Sequence, residues 1–491
     1  MILPFLIIIP LLAAFLITLI SGEKDNWAIV LSILAAISLL ALSTFSFFTT
    51  GKDTFIYEMS GWKIPLTICL VQDALSTFML IIVNLIALTS LIFSVSYIRR
   101  YATPYKYYAL FMLLITGMNG VIATGDIFNL FVFMEIALFA AYGLVAFGCK
   151  AEEYEAAFKY AVMGSVSSTL ILLGIGILYS ATSTLTMAKI AEILPTLDKS
   201  LTYWVGAIFL TGFGLKAAAI PFHAWLPDAH SSAPAPISAM LSGVLIKSLG
   251  IYTIIRFFYN ILGTPQIFMI ILMVIGSISI IVASYLALGQ WDLKRLLAYS
   301  SISQIGFILL GLGIGTRLAV LGAVFHIFNH AVFKALLFYN SGAVEMAIGT
   351  RDLRKMGNLK KALPVTSATS MIASLSIAGL PPFNGFFSKL IIIIAAVQAN
   401  YIVYAVIAII GSLLTLIYYM KVQRYGFRGG EVVEKTEVPV SLGMKSAMVI
   451  LAVLCLLTSL MIIPGIRELT LDPVVSIIVN KTGYISAVLG R

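Results

Sequence analysis

Long apolar runs follow one another along the whole chain, separated by short polar segments. A helix needs roughly 20 apolar residues to cross the hydrocarbon core of a bilayer, and the runs reach about that length. By this criterion the pattern predicts about fourteen transmembrane helices. The runs are continuous rather than alternating, which excludes a transmembrane β-barrel. We therefore expect an all-α polytopic membrane protein.

The predicted spans are, in order, Ile2–Ser21, Trp27–Phe48, Asp73–Val95, Tyr107–Thr124, Asp126–Phe147, Tyr154–Ser180, a broken seventh from Tyr203 to Ile220 with its continuation, Pro236–Phe258, Ile267–Leu288, Leu296–Gly315, Leu318–Ala347, an interrupted twelfth from Pro364 to Gln398, Tyr401–Met420 and Lys445–Ile463. After the last span, a tail to Arg491 is expected to hold one short surface helix.

Composition and charge agree with this interpretation. The chain is 60% hydrophobic and only 11% charged, whereas soluble domains are roughly 25% charged. If the N-terminus lies outside, the inside loops hold about twice as many lysines and arginines as the outside loops, which is the usual bias of cytoplasmic loops. The bias predicts both termini outside. It also accounts for the net charge of +10, because no basic patch among exposed aromatics indicates nucleic-acid binding.

The sequence contains no signature of a bound cofactor or metal. Its three cysteines, Cys69, Cys149 and Cys455, are scattered and form no CxxC pair or Cys/His cluster. It also lacks a Walker loop, a dinucleotide-binding glycine motif and any haem or flavin motif. We therefore expect no cofactor, and any ion pumping must be driven by an ion gradient or by partner subunits.

Two of the spans are interrupted by prolines. The seventh breaks at Pro221 and the twelfth at Pro381, and each break has a lysine nearby, Lys216 in one and Lys389 in the other. Lipid cannot satisfy the backbone groups that a break frees, so such segments are buried in protein or line a water-filled cavity. The breaks lie five spans apart, and an odd offset makes the two units inverted repeats. Paired interruptions of this kind are typical of transport sites.

Three ionisable residues lie inside apolar runs from the fifth to the eighth span: Glu135, Lys216 and Lys247. A charge at that depth costs several kcal/mol and usually serves a function. Glu135 and Lys216 are candidate partners, and their separation would let the lysine release a proton. Two simpler interpretations stay open, a lysine whose ammonium reaches the membrane surface beside a kink and a static buried ion pair.

The eleventh span carries His326, His330 and Lys334, spaced so that all three share one helix face. Histidine titrates near neutral pH, so this face is a candidate proton relay. A zinc site and histidines bonded to the backbone are the alternatives, although no third metal ligand is nearby in the sequence. Lys389, after the second break, is the candidate terminal proton group.

The segment after the first break carries His223, Asp228 and His230, which either form the cytoplasmic mouth of the path or cap the loop. The turn from Asp292 to Arg295 is interpreted as a docking or capping element. Small polar residues in the sixth and tenth spans either hold water between the charged groups or form ordinary interhelical hydrogen bonds: these are Ser165, Ser167, Ser168, Thr169, Ser300, Ser301, Ser303 and Gln304.

Four segments resemble one superfamily: KAAAIPFHAWLPDAHSSAPAPISAMLSGVLIK, WDLKRLLAYSSISQIGF, HIFNHAVFKALLF and GLPPFNGFFSK. Their order and spacing, over roughly Asp73 to Tyr419, are similar to those of the antiporter-like subunits of Mrp-type sodium/proton antiporters, membrane-bound hydrogenases and respiratory complex I. The chain ends soon after its last span and has no long amphipathic lateral helix. It therefore most resembles the D-type Mrp subunit and its counterpart in hydrogenase or sulfane reductase complexes.

The resemblance implies fourteen helices and two inverted five-helix repeats, the fourth to eighth and the ninth to thirteenth. It divides the chain into an N-terminal three-helix segment (1–106), a first repeat (107–260), a second repeat (261–424) and a C-terminal helix with its tail (425–491). The family's proton-path positions, matched by motif, are Glu135, Lys216, Lys247, His326, His330, Lys334 and Lys389.

The resemblance also implies the setting of the protein. We expect a multi-pass subunit of a hetero-oligomeric complex in a prokaryotic inner or plasma membrane, in contact with lipid and other membrane subunits. It would carry protons, and whether sodium also passes through this chain stays open. The driver is open too, because the same fold serves gradient-driven antiport and redox-driven pumping, in which case the chain would be a membrane subunit of an oxidoreductase. A stand-alone carrier of small solutes and a non-transporting structural subunit are the remaining alternatives.

Overall fold

The computed structural model describes residues 2–20, 25–50, 53–431 and 438–490. Of the basic residues that enter the charge bias, Lys24, Lys52, Lys435 and Arg491 lie outside the described residues. The described chain is mostly helical, and one short hairpin is its regular β-structure. The fold is that of a multi-pass helical membrane protein.

The helices, in chain order, are α1 (Phe5–Ile20), α2 (Asp25–Thr50), α3 (Ala74–Tyr97), α4 (Pro104–Ala123), α5 (Ile127–Val145), α6 (Ala151–Thr182), α7 (Met187–Ile193), α8 (Lys199–Ala217), α9 (Trp225–Ser232), α10 (Ala235–Ile261), α11 (Gln266–Gly289), α12 (Leu293–Ile314), α13 (Arg317–Ile348), α14 (Pro364–Ala378), α15 (Asn384–Gln398), α16 (Ile402–Gln423), α17 (Leu442–Leu457), α18 (Pro464–Thr470), α19 (Asp472–Val479) and α20 (Lys481–Leu489). The strands are β1 (Phe55–Glu58) and β2 (Cys69–Gln72).

Within the described ranges, eleven helices are long and apolar enough to cross a membrane. Three more apolar helices, α1, α14 and α15, are shorter. The 19-residue α8 is long enough, but two lysines and several small polar residues lower its hydropathy. Helices α10 and α13 occupy the centre, since their apolar stretches are entirely covered by protein. They carry Lys247 and the face with His326, His330 and Lys334.

The predicted seventh and twelfth spans are each interrupted near the proline that the sequence indicates. Helix α8 ends at Ala217, and Ala218 takes a left-handed backbone conformation (φ 53°) before the chain turns into α9. Helix α14 ends at Ala378 in the same way, with Gly379 (φ 83°) leading toward α15. A left-handed residue just after the last helical turn is a common helix terminator, and glycine adopts it at least cost.

The same backbone link occurs twice, once in each half of the chain. An isolated antiparallel bridge joins Asp126 to Thr186, and another joins Asp292 to Asp352. Asp126 and Asp292 each cap the N-terminus of the following helix. Each bridge joins the residue before a pair of helices, α5–α6 or α12–α13, to the segment after that pair, and the second helix of each pair, α6 or α13, has 32 residues. The hydrogen bonds also correspond: Ile127 N to Leu185 O at 2.9 Å and Met187 N to Gly125 O at 2.9 Å, against Leu293 N to Arg351 O at 3.0 Å and Leu353 N to Trp291 O at 2.9 Å.

Two features differ from the sequence prediction. The segment between α2 and α3 forms an antiparallel hairpin, in which Phe55 pairs with Gln72 and Glu58 with Cys69. The C-terminal tail forms three short helices rather than one surface helix. Apolar side chains of α19 and α20 are buried, so these helices dock on the helix bundle instead of lying free on its surface.

A buried ion pair anchors the tail. The Arg256 guanidinium donates to the Asp73 carboxylate at 2.6 Å, and both side chains are buried. The same guanidinium lies over the ring of Tyr484 in α20, 5.4 Å from its centroid. Asn260, one turn further along α10, donates to the carbonyl oxygen of Ile477 at 2.9 Å. The end of α10 therefore holds the start of α3 and the tail together.

Candidate functional site

Glu135 and Lys216 are joined through the hydroxyl group of Ser168. The Lys216 ammonium donates to the Ser168 hydroxyl and to the carbonyl oxygen of Gly164, both at 2.9 Å. The Ser168 hydroxyl in turn donates to the Glu135 carboxylate. Lys216 is 4% exposed, whereas Glu135 is half-buried on α5. The predicted pair is thus present, with a serine between its members.

The local sequence of α6 explains how this helix binds the Lys216 ammonium. Gly164 and Ser168 are four residues apart and therefore share one face of α6. A side chain at position 164 would collide with the hydroxyl of Tyr142, so glycine allows α5 and α6 to pack closely here. A cavity of about 10 Å³ adjoins Lys216 and reaches Leu249 on α10. That volume is close to the room one water molecule needs.

Lys247 lies in the middle of α10 and is completely buried. Its ammonium donates to the carbonyl oxygen of Ser242, five residues earlier in the same helix. The helix is wound as a π-helix over Leu241–Leu245 and again over Lys247–Ile251. π-helical turns are rare and are frequent at functional sites. Lys247 therefore has a backbone acceptor rather than a carboxylate partner.

The predicted relay lies on one face of α13, where His326, His330 and Lys334 are all completely buried. The rings of the two histidines are 6.3 Å apart between centroids. The Lys334 ammonium donates to the carbonyl oxygen of Leu297 at 2.8 Å and lies 3.3 Å from the Tyr419 hydroxyl. Neither ring nitrogen of His330 has a hydrogen-bond partner among the described residues.

Helix α15 connects this face to Lys389. Its Ser388 hydroxyl lies 2.9 Å from Nδ1 of His326. The next residue, Lys389, is buried and donates to the carbonyl oxygen of Ile377 at 2.8 Å. Ile377 is in the last turn of α14, where unpaired carbonyls favour a cation. The Lys389 ammonium also lies 4.6 Å from the centre of the Phe307 ring.

The three residues of the candidate mouth occupy different environments. His223 is half-buried in the turn after the first break. Asp228 lies near the surface and pairs with Lys159 at 3.1 Å and with Arg295 at 2.9 Å. His230 is completely buried, and its ring lies 5.2 Å from that of Phe338 on α13. Of the three, His230 is the one placed beside the buried row.

The zinc interpretation of His326 and His330 lacks ligands. Within the described residues, no group of three His, Cys, Asp or Glu side chains could hold a metal ion. A structural zinc site usually needs four ligands in a tetrahedron. Nδ1 of His326 has the Ser388 hydroxyl, a protein group, as its partner.

Sequence reasoning misses several contacts of the buried row. Ser388, which reaches His326, is one residue before the predicted Lys389, and Tyr419, which reaches Lys334, is in an otherwise apolar span. Polar side chains inside apolar runs are the signal that could have found them. Ser168 is one of the polar residues noted in the sixth span, but its position between Glu135 and Lys216 depends on the packing of three helices.

Comparison with known proteins agrees with this architecture. Residues 124–415 match the family described as NADH:quinone oxidoreductase/Mrp antiporter, TM. The chain is 35% identical to the D subunit of the Na(+)/H(+) antiporter of Alkalihalophilus pseudofirmus, over 86% of this chain and 87% of that protein. It is 36% identical to the N subunit of the NADH-quinone oxidoreductase of Desulforudis audaxviator, over 86% of this chain and 85% of that protein.

Among solved structures, a chain of the Mrp complex from Dietzia sp. DQ12-45-1b has a TM-score of 0.92 and 26% identity, and the match covers 99% of both chains. A polytopic helical membrane protein with a buried row of lysines and histidines is therefore the class that fold and site define. The chain belongs to the NADH:quinone oxidoreductase/Mrp antiporter transmembrane family.

Proposed function

We propose that this chain is the proton-translocating, antiporter-like subunit of a multi-subunit membrane complex. The observation that carries the proposal is the row of buried ionisable side chains through the centre of the fold. Four buried lysines of this row, Lys216, Lys247, Lys334 and Lys389, are bound to hydroxyl or carbonyl oxygens rather than to a carboxylate. A lysine without a carboxylate partner is not locked in its charged form, since burial favours the neutral amine. Such a lysine can accept and release a proton.

The proposed path enters from the inside near the first break and passes Lys216 and Lys247. It then follows the α13 face with His326, His330 and Lys334, and leaves past Lys389. Glu135 acts as the gate of the first lysine. When the Glu135 carboxylate and the Lys216 ammonium share the Ser168 hydroxyl, the charge of the lysine is favoured, and when they separate the lysine loses that support.

We propose that the chain crosses the membrane fourteen times, with α14 and α15 together forming the twelfth span and α1 and α8 forming the first and seventh. The two inverted repeats comprise 107–260 and 261–424, flanked by the segments 1–106 and 425–491. The recurring bridges of Asp126 and Asp292, and the left-handed ends of α8 and α14, support this division. The loop charges favour both termini outside.

The partners would be other membrane subunits, as in the Mrp complex to which the chain is similar. Glu135 lies beside a strip of α5 on which the apolar side chains of Phe128, Val132 and Phe139 are exposed, and a neighbouring subunit or lipid would cover that strip. A subunit seated there could move the glutamate and so trigger the gate. Protons are the proposed cargo, and sodium would move through this chain or a neighbour in the same cell membrane.

The redox-driven pump is the second candidate, because the chain is as similar to the N subunit of an NADH-quinone oxidoreductase as to the D subunit of an antiporter. The same buried row would serve either driver. A stand-alone solute carrier fits less well, because the cavity beside Lys216 has room for about one water molecule and not for an organic solute.

Replacement of the completely buried Lys334 tests the proposal. Lys334→Met removes the titratable group from the row and keeps a side chain of similar length. Lys360→Met, which replaces an exposed loop lysine, is the matched control. In inverted vesicles carrying the whole complex, we expect proton flux to fall at least about tenfold for Lys334→Met and to stay unchanged for Lys360→Met. Equal flux in both variants, at equal assembly, would exclude Lys334 from the path.

A further inference from the structure

A polar cavity of about 400 Å³ opens on the face that carries the lysine- and arginine-rich loops. The end of α3, the loop before α6, the end of α9, the start of α12 and the end of α13 surround it. Lys294 and Glu345 are among its lining residues, and neither belongs to the predicted path. The cavity therefore joins the inside surface to a buried charged pair with no assigned role.

Lys294 is buried although a surface position was available to it. It is the second residue of α12, beside a loop, yet its side chain is only 2% exposed. Its ammonium donates to the carbonyl oxygen of Ala233 at 2.9 Å and lies 3.4 Å from the Glu345 carboxylate. The N-terminal end of a helix disfavours a cation, and burial adds a desolvation cost. This placement has no evident benefit for stability.

Glu345 is held as a carboxylate by the cavity wall. Besides Lys294, the guanidinium groups of Arg100 and Arg351 each come within 3.9 Å of it, and the Tyr97 hydroxyl donates to it at 3.1 Å. Because three cations and one hydroxyl donor surround it, the Glu345 carboxylate stays ionised and acts as a fixed anchor rather than a proton carrier. The lysine is the member of the pair that faces the protein interior.

His230 directly precedes Ser231, which lines the cavity, and its ring packs against α13. Its ring is fully buried, and neither ring nitrogen has a hydrogen-bond partner among the described residues. The ring lies 5.2 Å from that of Phe338, which is one turn beyond Lys334 on α13. Lys294 binds the carbonyl of Ala233, three residues after His230 along the chain. A buried polar ring without a partner normally indicates a transient or water-mediated one.

We propose that Lys294, held in place by Glu345, is the inside entry station for the α13 face of the path and passes protons through His230 to Lys334, while the Glu135–Lys216 pair stays the gate that this transfer needs. The inference rests on the proposed function and extends it by one residue pair. In the transfer, an N–H bond of the Lys294 ammonium breaks and one forms on the unprotonated nitrogen of His230. The imidazolium of His230 then loses an N–H proton to the neutral amine of Lys334, and the neutral amine of Lys294 takes a proton from the inside solution, to which the cavity opens. Glu345 is a positioning residue in this scheme.

Lys294→Arg tests whether Lys294 transfers protons or has only a structural role. Arginine keeps the positive charge and the bonds to Ala233 and Glu345, but it does not release its proton in proteins. We expect the variant complex to assemble and its proton flux in inverted vesicles to fall at least about tenfold. Lys421→Arg is the matched control, because Lys421 likewise donates to backbone carbonyls on the inside, those of Leu288 and Gln290, but lies off the path. Normal flux in an assembled Lys294→Arg complex would overturn the proposal.

If arginine does not fit at position 294, a chemical rescue tests whether this position must carry a transferable proton. In a Cys149→Ser background, Lys294→Cys would be inactive, and a methanethiosulfonate reagent that attaches an aminoethyl group should restore flux. A reagent that attaches a trimethylammonium group should not, since that cation carries no proton. Rescue by both reagents, or by neither when labelling is complete, would contradict the relay. Lys334→Met in the same vesicles keeps the two proposals apart: if it abolishes flux while Lys294→Arg does not, only the entry station is wrong.

Discussion

Lys216 and Glu135 share one hydroxyl group, that of Ser168, which accepts from the lysine and donates to the glutamate. A serine hydroxyl has one proton, so while it donates to the glutamate it can only accept from the lysine. Hydrogen bonds to charged groups are the strong ones, so loss of either charge weakens the chain of bonds. The serine therefore couples the state of a half-exposed carboxylate to that of a buried ammonium, which is the coupling that the proposed gate requires.

Ser168→Ala removes this coupling and leaves both charges in place. A hydrogen bond to a charged group contributes about 1.5–3 kcal/mol, so we expect proton flux to fall about tenfold or more. Thr169→Val is the control, because the neighbouring Thr169 hydroxyl is exposed and bonds only to a carbonyl of its own helix. Flux assays on vesicles with equal amounts of complex make the comparison. A Ser168→Ala complex as active as Thr169→Val would show that the serine does not couple the pair.

The close crossing of α11 and α12 gives a test of the fold. A Cβ atom at Gly276 would lie 2.7 Å from the carbonyl oxygen of Gly306, so the two backbones are in contact. We expect Gly306→Ala to separate the helices and to destabilise the protein by about 1–3 kcal/mol. Gly176→Ala in α6, where no atom lies within 4 Å, should instead be neutral or slightly stabilising. Thermal unfolding of the purified complex measures both, and equal melting temperatures would contradict this crossing.

The buried Asp73–Arg256 pair predicts a pattern of non-additive effects. Arg256→Gln leaves the Asp73 carboxylate buried without its cation, which should cost about 3–5 kcal/mol. In the double variant with Asp73→Asn, no charge is left unpaired, so part of the stability should return. Unfolding of the two single variants and the double variant forms the cycle. Additive losses would mean that the two side chains do not interact.

The predicted orientation can be tested with the native cysteines. Cys149 is exposed in the loop between α5 and α6, which the proposed topology places inside, while Cys69 and Cys455 are buried. A membrane-impermeant maleimide should therefore label the chain in inverted vesicles and not in intact cells. Cys149→Ser should abolish the labelling. Labelling of Cys149 from outside intact cells would reverse the orientation proposed here.

The sequence is sufficient for features that single residues determine. Prolines locate both helix breaks, and isolated charges in apolar runs locate the buried row. The contacts between these residues cannot be predicted in the same way, because they depend on which face of one helix meets another. Ser168 illustrates this point, since nothing in its own span distinguishes it from Ser167, which bonds to the carbonyl of Gly212 instead.

The burial of Lys294 escapes sequence reasoning for a related reason. It stands between Asp292 and Arg295 at a predicted turn, where a lysine normally lies in water, and the charge bias therefore counts it with the loop residues. Its burial follows from the end of α13 and the segment after α9 closing over it, which are distant in the sequence. The hairpin and the docked tail are missed because their strands and helices are too short to give a periodic pattern.

The most direct test of the account is ion exchange in inverted vesicles carrying the whole complex, with wild type compared to Glu135→Ala and Lys216→Ala. Assembly of each variant is checked first by purification of the intact complex. We expect flux to collapse in both variants while assembly is retained, because the gate needs both members of the pair. Wild-type flux in the two assembled variants would show that these charges are structural, and the proposed proton path would be wrong.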